Sequence, residues 1–337
     1  GRPTEAATRN SRPAGIQESS PARLASERIF IIISLHGFSR EEACLGSIEK
    51  VKHDRATLSS YVRLFKSCYG EASKFSVEYL DWLYAKNPAG PVMGFDYVDR
   101  EKGIVAHYAC IPAPIAIHGE KMNAVLALNT ATHPDFQGQG LFTKLASMAF
   151  AGAADAGYDY AYGVPNAQAT PGLTGRQGFR LVCSLDADIC LLPYRRPNPT
   201  ADGEPVAAFQ RIWSVDALQW RLSDPNARWR TKLRDPNTLQ VWGPGPAPFV
   251  PTYEEIFLNA DLRPLDGLFA PPGPMAFTPK LHLGKRPPGG VTPNVSIQIP
   301  DRLRPSPLNF VVKNLHGETP EIAAQEVIFT ALDFDAY

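Results

Sequence analysis

Between Thr57 and Lys86 the apolar residues recur at helical spacing, with Tyr61, Leu64, Phe65 and Cys68 on one face. This pattern predicts two helical pieces, the second capped by Ser76 and ended by Asn87-Pro88. The apolar runs then shorten. MGFDYVD and GIVAHYACIP read as strands joined by a turn from Asp99 to Gly103, followed by a strand at Pro114 to Ile117 and the turn HGEK. From Ala124 to Leu145 comes an apolar strand, a turn holding Gln137, Gly138, Gln139 and Gly140, and a helix that opens at Leu141 and stops at Gly157. Tyr158 to Val164 predicts another strand, broken by Pro165-Asn166, and Phe179 to Leu192 one more. Residues 193–205, PYRRPNPTADGEP, have the composition of a linker. Proline and glycine are frequent from Val241 to Gly290, which predicts loops and edge strands, and the clearest late strands are Asn309 to Val312 and Val327 to Leu332.

A faint repeat joins the two halves. Leu80-Asp81-Trp82-Leu83-Tyr84 before Asn87-Pro88 is echoed by Leu218-Gln219-Trp220-Arg221-Leu222 before Asp224-Pro225. If the chain is duplicated, the second half is a degenerate copy, because it has no counterpart of the Gln-Gly-Gln-Gly turn. The expected organisation is a leader over 1–56, largely disordered with a short apolar segment at Ile29 to Leu35, a first domain over 57–195, and a smaller accessory domain over 196–337. A chain of 337 residues with 44% hydrophobic content can bury two modest cores.

Charge and cysteine content narrow the function classes. Lys plus Arg and Asp plus Glu are both 34, so no net field draws nucleic acid or an anionic membrane. The apolar run at 29–35 is far shorter than the ~20 residues of a membrane span. Five cysteines, an odd number without a C-x-x-C pair, read as reduced core thiols of a cytoplasmic protein and not as metal ligands.

A strand that feeds a glycine-bearing turn into a helix presents unpaired N–H groups and the positive end of the helix dipole, which suits a pyrophosphate. A dinucleotide fold would want a third glycine and an acidic ribose contact, and neither follows Gly138-x-Gly140. The turn instead resembles the coenzyme A signature of the GCN5-related N-acetyltransferase superfamily: Arg or Gln, two residues, Gly, one residue, Gly or Ala. Gln137 to Leu141 match, Phe142 stands where a small residue is usual, His133-Pro134 precedes the turn and Gly178-Phe179 falls where the superfamily commonly has Gly-Phe. The resemblance covers roughly Thr57 to Leu192. With Trp82-Leu83-Tyr84 and Gly163-Val164-Pro165-Asn166 it extends to a two-domain branch that includes N-acyltransferases of nucleotide-linked amino sugars in surface polysaccharide biosynthesis.

That resemblance implies a mixed α/β sheet, a GNAT-like N-terminal domain with a second, degenerate GNAT-like domain, and acetyl-CoA or another short acyl-CoA as co-substrate without a metal. It places the diphosphate on the backbone of Gln137, Gly138, Gln139, Gly140, Leu141 and Phe142, and the pantetheine arm along Thr130, Ala131 and Thr132. The acyl group goes to a wedge between Leu126–Thr132 and Tyr158–Val164, with Asn166 beside it. Many members carry a tyrosine acid four residues before the Gly-Phe glycine; here that position is Thr174. A neutral amine is needed, and at pH 7 deprotonation costs about 4.6 kcal/mol for a lysine-like amine but about 1.4 for one of pKa near 8. His107 and His133 are the candidate bases, and Trp82, Tyr84 and Tyr108 the candidate acceptor-pocket residues. The expected function is transfer of an acetyl or short acyl group to a small-molecule primary amine, such as an amino sugar. The rivals are an inactive binding or scaffold module and an enzyme acting on a peptide or another small amine.

Overall fold

The computed structural model describes residues 46–71, 73–191, 207–247, 249–257, 262, 279–285, 296–304 and 307–334. Two side chains start the first helices: Asp54 accepts from Thr57 N–H to open α1 (Arg55–Tyr69), and Ser76 accepts from Tyr79 N–H to open α2 (Val77–Ala85). β1 (Gly46–Lys50) precedes them and pairs antiparallel with β2 (Met93–Asp99). The expected leader boundary at 56 is thereby corrected, since 46–50 is already an edge strand and residue 55 already helical. Five residues, with Ile48 their sole large apolar side chain, carry too little alternation to read as a strand. Residues 1–45, including the apolar segment, lie outside the described residues.

The chain continues through β3 (Gly103–Pro112), the short hairpin β4 (Ile115–Ile117) and β5 (Glu120–Met122), β6 (Ala124–Thr132), α3 (Leu141–Asp155) and β7 (Tyr160–Gly163). β8 (Arg180–Ser184) and β9 (Asp186–Cys190) occupy the stretch expected as one strand. A single residue, Leu185, separates them, too little for a turn signature. Then follow β10 (Phe209–Arg211), α4 (Val215–Leu222), β11 (Arg230–Asp235), β12 (Thr238–Ala247), β13 (Val250–Phe257), β14 (Lys280–Gly284), β15 (Ser296–Gln298), β16 (Asn309–Asn314) and β17 (Val327–Ile328).

These strands form a seven-stranded sheet, β1-β2-β3-β6-β7-β16-β8, a six-stranded sheet, β11-β12-β13-β14-β9-β15, and a small sheet, β17-β10-β4-β5. Helices α1 and α2 cover one face of the seven-stranded sheet with Leu58, Tyr61, Phe65 and Tyr84, and α3 covers the other with Leu145, Ala149 and Phe150. That double covering explains why β3 is buried along nearly its whole length.

The described strands of the late proline- and glycine-rich stretch are not edges. β12, β13 and β14 lie inside the six-stranded sheet. A Cβ on Gly243 would meet the Trp229 ring at 2.1 Å and one on Gly245 would meet Val250 O at 1.8 Å, so close approach demands those glycines within a strand. The expected boundary at 195/196 does not separate two cores either. β16 completes the first sheet beside β7, β9 completes the second beside β14, and the described residues from Gly46 onward belong to one compact unit.

The two sheets repeat one plan: an antiparallel meander, a parallel pair (β6 with β7, β13 with β14), then an antiparallel strand supplied by the other half. The echoed tryptophans meet. Trp82 and Trp220 stack at 4.8 Å, and each indole N–H donates to the other's backbone carbonyl, at 2.9 and 3.0 Å, across the same 138-residue separation. This local two-fold explains the sequence echo. Trp220→Phe, which leaves a smaller aromatic ring and removes one buried donor, is expected to cost at least about 1–2 kcal/mol in a denaturant melt.

Candidate acyl-transfer site

The turn after β6 is held by its glycines. Gly138 and Gly140 lie at φ 78° and 75°, in the left-handed region that favours glycine, and a Cβ on either would meet nothing within 4 Å. Gly140 caps α3 without a side chain, and its carbonyl accepts the helix's first bond from Lys144 N–H at 3.1 Å. A helix opened in this way has first-turn amides without intrahelical acceptors and the positive end of its dipole at the turn, a combination that suits a phosphate. Gln137 Nε2 ties the turn back to Thr132 O at 3.2 Å.

β6 leaves its neighbours at the same end. Pairing with β7 stops at Ala127 opposite Gly163, so a wedge opens with Leu128 to Thr130 on one side and Val164 to Asn166 on the other. On the β3 side, Ala109 pairs with Leu128 and His107 with Ala131, which sets two residues of β6 against one of β3. Within this bulge Asn129 has φ 50°, a conformation that asparagine tolerates better than most residues.

A cavity of about 530 Å³ runs through the wedge. On the α3 side its wall includes Tyr108, Phe142 and Leu173; within the wedge, Ala127 to Thr130 and Gly163 to Asn166; on the far side, residues of the six-stranded sheet. Phe142, the departure from the expected small residue, packs edge-on against Tyr108 at 5.5 Å. Gly172 makes room for it, since a Cβ there would lie 3.0 Å from the Phe142 ring. The Tyr108 hydroxyl is desolvated, which pushes its pKa well above the usual range.

Asn166 lines the cavity, but its Oδ1 accepts from the N–H groups of Gln168 and Ala169 at 3.1 and 2.9 Å, so what it can offer a ligand is Nδ2–H. Thr130 is in the wall, while Ala131 is buried opposite His107 and turns into the core. Thr174, in the place of the expected acid, donates its hydroxyl to Thr170 O at 3.0 Å.

Neither candidate base reaches the cavity. His107 is 1% exposed and locked in a chain of hydrogen bonds. Asn129 Nδ2 donates to Tyr84 Oη at 3.2 Å, so the Tyr84 proton points to His107 Nε2 at 2.9 Å, and His107 Nδ1 donates to Asp96 Oδ1 at 2.6 Å. Tyr61 donates to Asp96 Oδ2 at 2.6 Å and accepts from Lys52 N–H. This side chain is a buried strut behind Asn129, with both ring nitrogens engaged. The sequence placed His107 on a strand without fixing which face it takes, and only the tertiary structure supplies Asp96 and Tyr84 as its partners. His133 caps the short turn at 134–136, its Nδ1 accepting from Asp135 N–H at 3.2 Å. It lies past the bulge by four residues, roughly 13 Å along an extended strand. Of the candidate acceptor-pocket residues, Tyr108 lines the cavity, Tyr84 supports it through Asn129, and Trp82 lies elsewhere, in its stack on Trp220.

Sequence reasoning missed Asn129 and Tyr69. An asparagine inside the apolar run ALNTAT was the available signal for a bulge. Tyr69, at the end of α1, has a half-exposed ring, yet its hydroxyl donates to Thr130 O, and this desolvation pushes its pKa up to about 12. Among the described residues no group of three His, Cys, Asp or Glu side chains converges on a point, and no helix is long and apolar enough to cross a membrane.

Residues 51–182 match the model of the acetyltransferase (GNAT) domain. Among solved structures, a GCN5-related N-acetyltransferase from Kribbella flavida has a TM-score of 0.50 at 12% identity, over 80% of this chain and 72% of that one. A conserved protein of unknown function from Enterococcus faecalis, described as a probable N-acyltransferase, gives 0.48 at 11%, over 80% and 73%. A GNAT-family N-acetyltransferase from Escherichia coli, solved with CoA, gives 0.31 at 19%, over 41% and 69%. No curated protein matches significantly.

Proposed function

We propose that this chain, whose residues 51–182 match the acetyltransferase (GNAT) domain model, moves an acetyl or short acyl group from acyl-CoA to the primary amine of a small molecule. The observation that carries this reading is one cavity that runs from Phe142, in the first turn of the helix opened by the glycine turn, into the open wedge with Asn129 in its wall. The first-turn amides of α3 and the backbone of Gln137 to Gly140 hold the diphosphate. The bulged edge of β6 receives the pantetheine arm and supplies N–H groups to the thioester carbonyl.

In the reaction the amine nitrogen attacks the thioester carbon, the C–N bond forms, the C–S bond breaks, and the electron pair leaves on sulfur as a thiolate. One ammonium-derived proton is released to solvent and a second ends on the thiol. With a thiol pKa near 8.5, the leaving group departs without the missing tyrosine acid. Tyr69, with its pKa at about 12, keeps its proton throughout the neutral range and orders Thr130 in the wedge. The base is water, and the acceptor amine enters neutral. A nucleotide-linked amino sugar, the acceptor implied by the sequence resemblance, is one member of this amine class.

A thiol-release assay with acetyl-CoA and a panel of amines tests the reading, because only an enzyme frees coenzyme A in an amine-dependent way. An inactive binding module would bind acetyl-CoA and release nothing with any amine. In the active case kcat/KM is expected to rise with pH up to the pKa of the amine used, and His133→Ala to leave that profile unshifted. An inflection near pH 6–7 that disappears in His133→Ala would return the base role to that side chain.

A further inference from the structure

The cavity is asymmetric in chemistry. Its far half, across the sheet from α3, is walled by Ala187 of β9, Leu281 and Leu283 of β14, Ile299, Leu308 and Phe334. Arg304 also lines it, but Nε donates to Ile299 O at 2.9 Å and Nη1 to Leu185 O at 3.2 Å, so the guanidinium already serves the loop that carries it. The described wall contains no carboxylate.

We propose that this far chamber is the acceptor site and that the acceptor is an amine carrying a hydrocarbon body. The inference rests on the N-acyltransferase reading and names its substrate class. The donor reaches the wedge from the α3 side, where the diphosphate turn lies, so the nucleophile must come to the thioester carbon from the opposite face, and the chamber is the space on that face. An apolar wall binds hydrocarbon by removing it from water. Apart from Arg304, whose guanidinium is already engaged with Ile299 O and Leu185 O, it offers no charge to a diphosphate, which would be desolvated there. The same wall answers the lack of a side-chain base: desolvation disfavours an ammonium and lowers the pKa of an amine held there, so the nucleophile arrives neutral.

The experiment is the thiol-release assay with acetyl-CoA and straight-chain primary amines of two to ten carbons, with ethanolamine and a nucleotide-linked amino sugar alongside. KM is expected to fall about three- to fourfold per methylene until the chamber is full, following the hydrocarbon transfer constant. Leu303 lines the chamber yet is mostly exposed, so Leu303→Glu can be made without disturbing the core. It is expected to raise the ratio of octylamine KM to ethanolamine KM tenfold or more. A KM flat with amine chain length, or a lower KM for the nucleotide-linked sugar, would each overturn the assignment. Calorimetry on acetyl-CoA-loaded protein separates the two levels. Chain-length-dependent amine affinity without turnover would keep the chamber assignment and overturn the catalytic reading alone.

Discussion

Gly138→Asp and Gly140→Asp are each expected to lose coenzyme A affinity by at least about 100-fold in calorimetry while remaining folded. Two effects act together. The left-handed φ of both positions costs a non-glycine residue about 1–2 kcal/mol, and the new carboxylate stands where the diphosphate must lie. Two unit charges about 4 Å apart near a protein surface repel by about 4 kcal/mol, so charge dominates over strain. Gly138→Ala separates them, because it meets nothing within 4 Å and brings no charge. It is expected to lower stability by about 1 kcal/mol and affinity far less than the aspartate. An aspartate variant that is folded and binds coenzyme A normally would remove the turn from the donor site.

The second large effect is structural. Asp96→Ala is expected to lower stability by about 3–5 kcal/mol, because it orphans both the Tyr61 hydroxyl and the His107 Nδ1–H in the core. His107→Ala is expected to cost a similar amount, since it leaves the Asp96 carboxylate without one of its two donors and the Tyr84 hydroxyl without its acceptor. For a unit of this size that is a fall in Tm of roughly 5–8 °C. The pH profile of the residual activity should not shift, because the ring is sealed from the cavity. A stable His107→Ala protein with a displaced pH profile would contradict the strut role. Asn129 links this buried chain to function: as the network loosens, the bulge of β6 loses its support, and kcat is expected to fall more than coenzyme A affinity.

Much of the donor side was legible from local pattern. A strand, a turn with two glycines and a helix are set by residues within twenty of one another, and the glycines' backbone freedom is a property of the residues themselves. The caps at Ser76 and the stop at Asn87-Pro88 are equally local. The tryptophan echo was also visible, although its meaning, two indoles bonded to each other's backbones, needed both halves in place.

What the sequence alone determined, then, is where two glycines turn the chain from a strand into the N-terminus of α3, and most of the strands and helices around that turn. The tertiary structure decided everything that depends on pairs distant along the chain. It exchanged β9 and β16 between the sheets, where composition had suggested a clean linker. It turned His107 from a candidate base into a buried strut by bringing Asp96 and Tyr84 to its two nitrogens. It also built the far chamber from residues as separate as Ala187, Leu281 and Phe334. The physical reason is that periodicity reports which face of an element is buried, while the identity of the partner on that face is fixed only when the sheets assemble.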